Sequence, residues 1–215
     1  MAPVKKLAKK NVVAVETTKE AFLRVAIDAI DEAGESNVRL EAILEEVGVS
    51  PSSLYHHYGN LNGLIEAAQI ERFRRANLGN ALEFKRRVEE TETLEEFKVV
   101  IDGLMDIFFS TKRTHARMQR ANALGSAFGR PELLEALGEA QREALVIGTE
   151  AMNIAKYKGF LRKNLNTAAF IAWYDSQSFG LVLVEITQDK TLAAEWKLIA
   201  RQNVHAQLFG TLPPA

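Results

Sequence analysis

Apolar positions recur along this chain at the three-to-four-residue spacing of amphipathic helices, and no stretch alternates convincingly as a strand. Thr17-Thr18-Lys19-Glu20 has the Thr-x-x-Glu spacing of a capping box, and Phe22, Val25, Ala26, Ala29, Ile30 and Ala33 then define one helical face that ends at Gly34. Leu40, Ile43, Leu44 and Val47 mark a second, short helix, with Gly48 supplying the backbone freedom to stop it and turn. Ser50 is expected to accept from the free N–H groups of the next helix start, and Pro51 falls at the first helical position, where its missing donor costs nothing. In that third helix Leu54 and Tyr58 are four apart and face inward, leaving Ser52, Ser53, Tyr55, His56 and, near the edge, His57 facing out. Two short helices joined by a three-residue turn containing glycine form a helix-turn-helix pattern.

The rest of the chain keeps the helical period. Asn60 is placed to cap a fourth helix with Leu61, Leu64, Ile65, Ala68, Phe73 and Ala76 inward. A second capping box, Thr93 to Glu96, opens a helix with Leu94, Phe97, Ile101, Leu104, Met105 and Phe108 on one side. A short helical stretch is expected over Thr114 to Leu124, a loop over Gly125 to Pro131, and a helix from Pro131 to Gly159. Residues 166 to 187 are apolar on almost every face, with Asn166 as cap, so this helix must be covered on several sides. A last helix spans about 190 to 209. The expected fold is all-α with about nine helices. It divides into a flexible basic arm over 1–16, a helix-turn-helix domain over 17–60, a connecting helix over 61–88 and a C-terminal helical domain over 89–210.

Charge complicates the nucleic-acid reading. The chain has 27 Lys and Arg against 28 Asp and Glu, and residues 1 to 60 carry seven basic against nine acidic side chains, a net of −2. The third helix has no Lys or Arg, so the commonest specific contact to guanine cannot come from it. Its hydroxyls, phenol and imidazoles can still hydrogen-bond phosphate oxygens or base edges, and Arg39 stands at the start of helix two, where it can touch a phosphate backbone. Cysteine is absent, which excludes disulfides and thiolate metal sites. No stretch approaches the ~18 apolar residues of a membrane span. The composition points to a soluble, cytoplasmic protein without a cofactor.

The run Val49-Ser50-Pro51-Ser52-Ser53-Leu54-Tyr55-His56-His57-Tyr58, preceded by helix residues 21–33 and followed by Leu64, resembles the N-terminal domain of the tetracycline-repressor (TetR-like) family. The resemblance covers about residues 18 to 67. It implies a homodimeric regulator, most often a repressor, that reads a palindromic operator in double-stranded DNA and is released by a small molecule, the fourth helix carrying the signal between domains. Arg39, Pro51, Ser52, Ser53, Tyr55, His56 and His57 are the DNA-binding candidates. The chain departs from the family where Leu61 replaces a usual lysine, where Leu44 and Val47 replace small residues, and where Glu41, Glu45 and Glu46 line the outer face of helix two.

The antiparallel pair over 166–209 carries more apolar surface than one domain needs and is expected to dimerise. The remaining C-terminal helices would surround a pocket for an apolar or aromatic effector, with Met105, Phe108, Met118, Asn122, Trp173, Tyr174 and Asp175 as candidates. Asp175 stands out because a carboxylate amid an apolar helix is costly unless paired or open to a cavity. Enzyme readings lack residues: there is no His-Glu-x-x-His, no phosphate-binding glycine loop and no Gly-x-Ser-x-Gly, and the four histidines assemble no metal site. No catalytic or metal-binding residue is therefore assigned. The rival reading is a dimeric helical protein that binds a ligand or another protein and has weak or lost DNA affinity.

Overall fold

The computed structural model describes residues 16–210, which hold nine α-helices, two short 3-10 turns and no strand. They fall into two compact units that divide after Ala68. The basic arm expected over residues 1–16 lies outside the described residues except for Glu16, which pairs with Arg24 at 3.0 Å.

The first unit contains α1 (Thr18–Ala33), α2 (Leu40–Val47), α3 (Pro51–Tyr58) and the opening turns of α4 (Leu61–Glu90). The expected capping box starts α1: the Thr17 hydroxyl accepts the Glu20 N–H at 3.3 Å, and the Thr17 N–H donates to the Glu20 carboxylate at 2.8 Å. One core joins the inner faces of all four helices through Phe22, Val25, Ile30, Ile43, Leu54, Leu64 and Ala68. Gly48 closes α2 in the left-handed conformation at φ 75°, which a residue with a Cβ adopts only with strain.

One local expectation fails. Ser50 precedes α3, but its side chain caps no backbone N–H; its hydroxyl lies 2.8 Å from that of Ser52, and its carbonyl accepts from the Ser53 N–H at 3.1 Å. With two hydroxyls two residues apart, the pair satisfies itself locally and the cap is not needed. Asn60 does cap, accepting the Gly63 N–H at 2.9 Å. The turn from α3 into α4 is so tight that a Cβ on Gly63 would sit 2.2 Å from the Tyr58 carbonyl oxygen. Gly63→Ala must shift backbone and is expected to lower stability by about 1–3 kcal/mol in denaturant titration, as overpacking does; an unchanged midpoint would show that the turn has slack. Tyr58 is further fixed by its phenol, which donates to the Lys19 carbonyl at 2.7 Å. Burial, with Glu20 nearby, pushes that phenol's pKa up.

The second unit holds the rest of α4 with α5 (Leu94–Phe108), α6 (Thr114–Ser126), α7 (Pro131–Tyr157), α8 (Thr167–Glu185) and α9 (Lys190–Phe209). Capping sets most starts: the Thr93–Glu96 box for α5, Pro131 at the first turn of α7, Asn166 accepting from Ala169 at 3.0 Å for α8, and Asp189 accepting from Thr191 and Leu192 at 2.9 Å for α9. Helix α6 runs two residues past Leu124, so the loop before Pro131 is shorter than the glycines at 125 and 129 suggested. Helix α8 packs against α6, α7 and α9, which accounts for its apolar residues on nearly every side.

Helix α4 is about 45 Å long at 1.5 Å per residue. Its outer surface is laced by ion pairs one turn apart, Glu71–Arg75 at 2.6 Å near its middle and Glu83–Arg86, Glu83–Arg87 and Arg86–Glu90 at 2.7–2.8 Å toward its end. The two guanidiniums bonding Glu83 hold its carboxyl down at about 2. Between these stapled stretches lie Asn77, Gly79 and Asn80.

Candidate functional site

On the first unit, α3 presents Pro51, Ser52, Tyr55 and His56 to solvent, Tyr55 at 51% exposure, while Leu54 is sealed beneath them. Ser53 and His57 are half-buried. The His57 ring meets His56 at 5.0 Å and Phe22 edge-on at 6.4 Å, so it packs as well as bordering the face. Arg39 lies one helix away, exposed, its guanidinium donating to the Ser36 and Val38 carbonyls at 2.7 and 3.1 Å. Leu61, Leu44 and Val47 are half-buried against the core, so the three departures from the family pattern serve packing. Glu41 and Glu45 are exposed, and Glu46 lies 3.7 Å from Arg24, which Glu16 and Asp28 also engage.

In the second unit, residues of α4 to α8 and the turn before α6 line a partly open cleft with a cavity volume of about 100 Å³. Phe84, Leu104, Phe108, Leu145 and Ile171 form apolar wall; Asn77, Asn80, Arg113, Arg117, Arg120, Gln141, Tyr174, Asp175 and Ser178 bring polar atoms to it. Arg120 donates to both Asp175 oxygens, at 3.1 and 2.7 Å, and to the Ser178 hydroxyl at 2.9 Å, and Gln141 donates to Asp175 at 2.8 Å. Arg117 clasps Glu185 with two of its nitrogens and donates to the Phe108 carbonyl at 2.8 Å. Arg113 donates to Asn80 at 3.1 Å; burial, and then the charges of Arg117 and Arg120, push its pKa down. Burial pushes the Tyr174 phenol far up, and Asp175 adds to the shift.

Of the effector-binding candidates, Phe108, Tyr174 and Asp175 lie on this wall, and the other four do not. Met105 is sealed in the core, and Met118 faces solvent. Asn122 accepts from Gln69 and Arg72 at 3.3 and 3.2 Å, and Trp173 stands half-buried beside Phe170 at 5.8 Å. Asp175 meets both conditions that make an interior carboxylate tolerable, a charged partner and an open cavity. Sequence reasoning overlooked Arg113, Arg117 and Arg120. Arg117 and Arg120 share the buried face of α6 with Ala123, and Arg113 closes the 3-10 turn before it; charged side chains at that spacing read as a solvated face.

Among the described residues no cluster of His, Asp or Glu could hold a metal ion, and no helix is long and apolar enough to cross a membrane.

The described residues thus comprise a helix-turn-helix unit and a helical unit that holds a cleft lined by both apolar and polar side chains. Residues 22–68 match the model for bacterial regulatory proteins of the tetR family. Solved structures share the fold at low identity. Salmonella enterica GusR is 18% identical with a TM-score of 0.60, covering 87% of this chain and 94% of that one. A TetR transcription regulator from Haloarcula marismortui ATCC 43049 is 17% identical with a TM-score of 0.59, covering 91% and 98%. SmeT, the repressor of the Stenotrophomonas maltophilia multidrug efflux pump SmeDEF, is 18% identical with a TM-score of 0.54, covering 93% and 97%. None of the curated proteins compared matches the chain.

Proposed function

We propose that this protein is a homodimeric transcriptional repressor that binds a palindromic operator through α3 and leaves it when a small molecule with an apolar or aromatic body enters the cleft of the second unit. The observation that carries the reading is the outer face of α3, where Ser52, Tyr55 and His56 stand exposed over a sealed Leu54 within the stretch that matches the tetR family model. Arg39, Pro51, Ser53 and His57 complete the DNA-binding set. The repressor role has a counterpart in SmeT, which shares the fold. Dimerisation is supported by exposed apolar side chains on and beside the last two helices, Leu183 on α8, Ile186 just past its end, and Leu192, Leu198 and Ile199 on α9. A two-fold pair of α3 helices would enter successive major grooves about 34 Å apart. Release requires that the effector bind more tightly to the conformation that no longer fits this spacing.

The direct test is fluorescence anisotropy at low salt with DNA from the gene's own upstream region against random duplex. No preference between them sinks the DNA role. With no Lys or Arg on α3, few phosphates are neutralised, and the log–log salt slope should be shallow, about −2.7 to −4.5 for a dimer that neutralises about three to five phosphates. Tyr55→Phe removes one exposed donor and should weaken operator binding by about 1 kcal/mol, the worth of a single hydrogen bond; affinity equal to wild type would remove Tyr55 from the contact set.

A further inference from the structure

The cleft of the second unit has a charge balance that its apolar walls conceal. Two of its three guanidiniums are neutralised in place, Arg117 by Glu185 and Arg120 by Asp175 at 2.7 Å. Arg113 lines the same cleft and has no carboxylate within 4 Å among the described residues; its side chain donates to a neutral group, the Asn80 side-chain amide oxygen. Three guanidiniums against two carboxylates leave one positive charge at the wall. Burial and its two cationic neighbours already disfavour the charged form of Arg113, the mark of a place short of negative charge. Among the described residues three buried polar atoms find no hydrogen-bond partner, Asn77 Oδ1, Arg120 Nε and the Tyr174 hydroxyl, and all three belong to residues of this cleft. Buried polar atoms are nearly always paired, so the residues of this wall keep hydrogen-bonding capacity that they do not satisfy among themselves.

Building on the reading of this cleft as the effector site, we propose that the effector is an organic monoanion, a carboxylate on an apolar or aromatic body, with Arg113 as its anion-binding residue. The guanidinium fork matches a carboxylate in geometry and charge. Phe84, Leu104, Phe108 and Ile171 take the apolar body, which a free inorganic anion lacks. A dianion would leave one charge unbalanced, and a cation would face Arg113 directly.

The test uses two dyes with one ring system, 1-anilinonaphthalene-8-sulfonate, a monoanion, and N-phenyl-1-naphthylamine, its uncharged counterpart. The wild-type protein should bind the anion about tenfold or more tightly than the neutral dye, roughly the worth of one charged contact. Arg113→Gln should remove that preference while leaving the neutral dye within about twofold, and Arg113→Lys should keep part of it. Equal affinity of the two dyes, equal weakening of both by Arg113→Gln, or the absence of saturable binding overturns the proposal. Should the glutamine variant fail to fold, displacement of the neutral dye from wild type decides. Decanoate must act at about one-tenth the concentration of decan-1-ol, and equal potency refutes the anion site. These measurements contain no DNA. Preference for the anion without operator binding would overturn the regulator reading alone, and operator binding without that preference would overturn this inference alone.

Discussion

Leu183→Glu together with Ile199→Glu is expected to convert the proposed dimer to a monomer and to lower affinity for the proposed operator by two orders of magnitude or more. Both side chains lie on the surface of one chain, at 67% and 56% exposure, so a glutamate at either is solvated and leaves the isolated fold intact. In a dimer joined through α8 and α9 the same carboxylates would be buried without partners, a cost of several kcal/mol for each that no rearrangement of an apolar face relieves. Loss of the second half-site contact then removes the gain from linking two weak readers, about 10²–10⁴ in affinity. Sedimentation velocity reads the first effect, anisotropy the second, and circular dichroism should be unchanged. A dimer that survives both substitutions places the interface on another surface.

Glu185→Ala should produce the largest loss of stability among single changes at the cleft, about 3–5 kcal/mol, because it strands a buried guanidinium. Arg117 is 4% exposed and spends its donors on Glu185, the Phe108 and Ser110 carbonyls and the Thr114 hydroxyl. With the carboxylate gone, carbonyl and hydroxyl dipoles remain but the charge has no counterpart. The exposed pairs on α4 provide the contrast, since breaking Arg86 from Glu83 should change stability little, and that small effect should vanish in high salt. The double change Arg117→Met with Glu185→Leu should recover most of the loss, as replacing a buried ion pair by apolar side chains often does. Equilibrium denaturation of the three variants checks this. A Glu185→Ala protein within 1 kcal/mol of wild type would mean that water or another group reaches the guanidinium.

The helical architecture was legible because its signals are local. Thr17, Thr93 and Asn166 cap within three residues, Pro131 opens α7, and the helical period alone sorts Phe22, Leu54, Phe97 and Ile101 into cores. The cleft was less legible, for two physical reasons. Periodicity separates inside from outside but not packed core from cavity wall: Met105 and Phe108, one turn apart on α5, differ in that only the second lines the cleft. The second reason is distance along the chain. An arginine on α6 reads as solvent-facing until its carboxylate is known, and the partners of Arg117 and Arg120 lie 68 and 55 residues away. Asp175 was visible because an acid amid apolar neighbours is conspicuous; the arginine facing it sat among alanines and polar residues, where it is not. Ser50 failed for the opposite reason, since a hydroxyl two positions on offered a nearer partner than the helix end.

The stiffness of α4 is unevenly distributed. Its ion pairs at 71–75 and 83–90 brace the rod on either side of Asn77, Gly79 and Asn80, and those three residues are among the weaker helix formers, together about 2 kcal/mol less favourable than alanines. The most compliant turn of the longest helix thus coincides with the stretch whose asparagines touch the cleft. A guest that drew Arg113 away from Asn80 would act where bending meets the least elastic resistance.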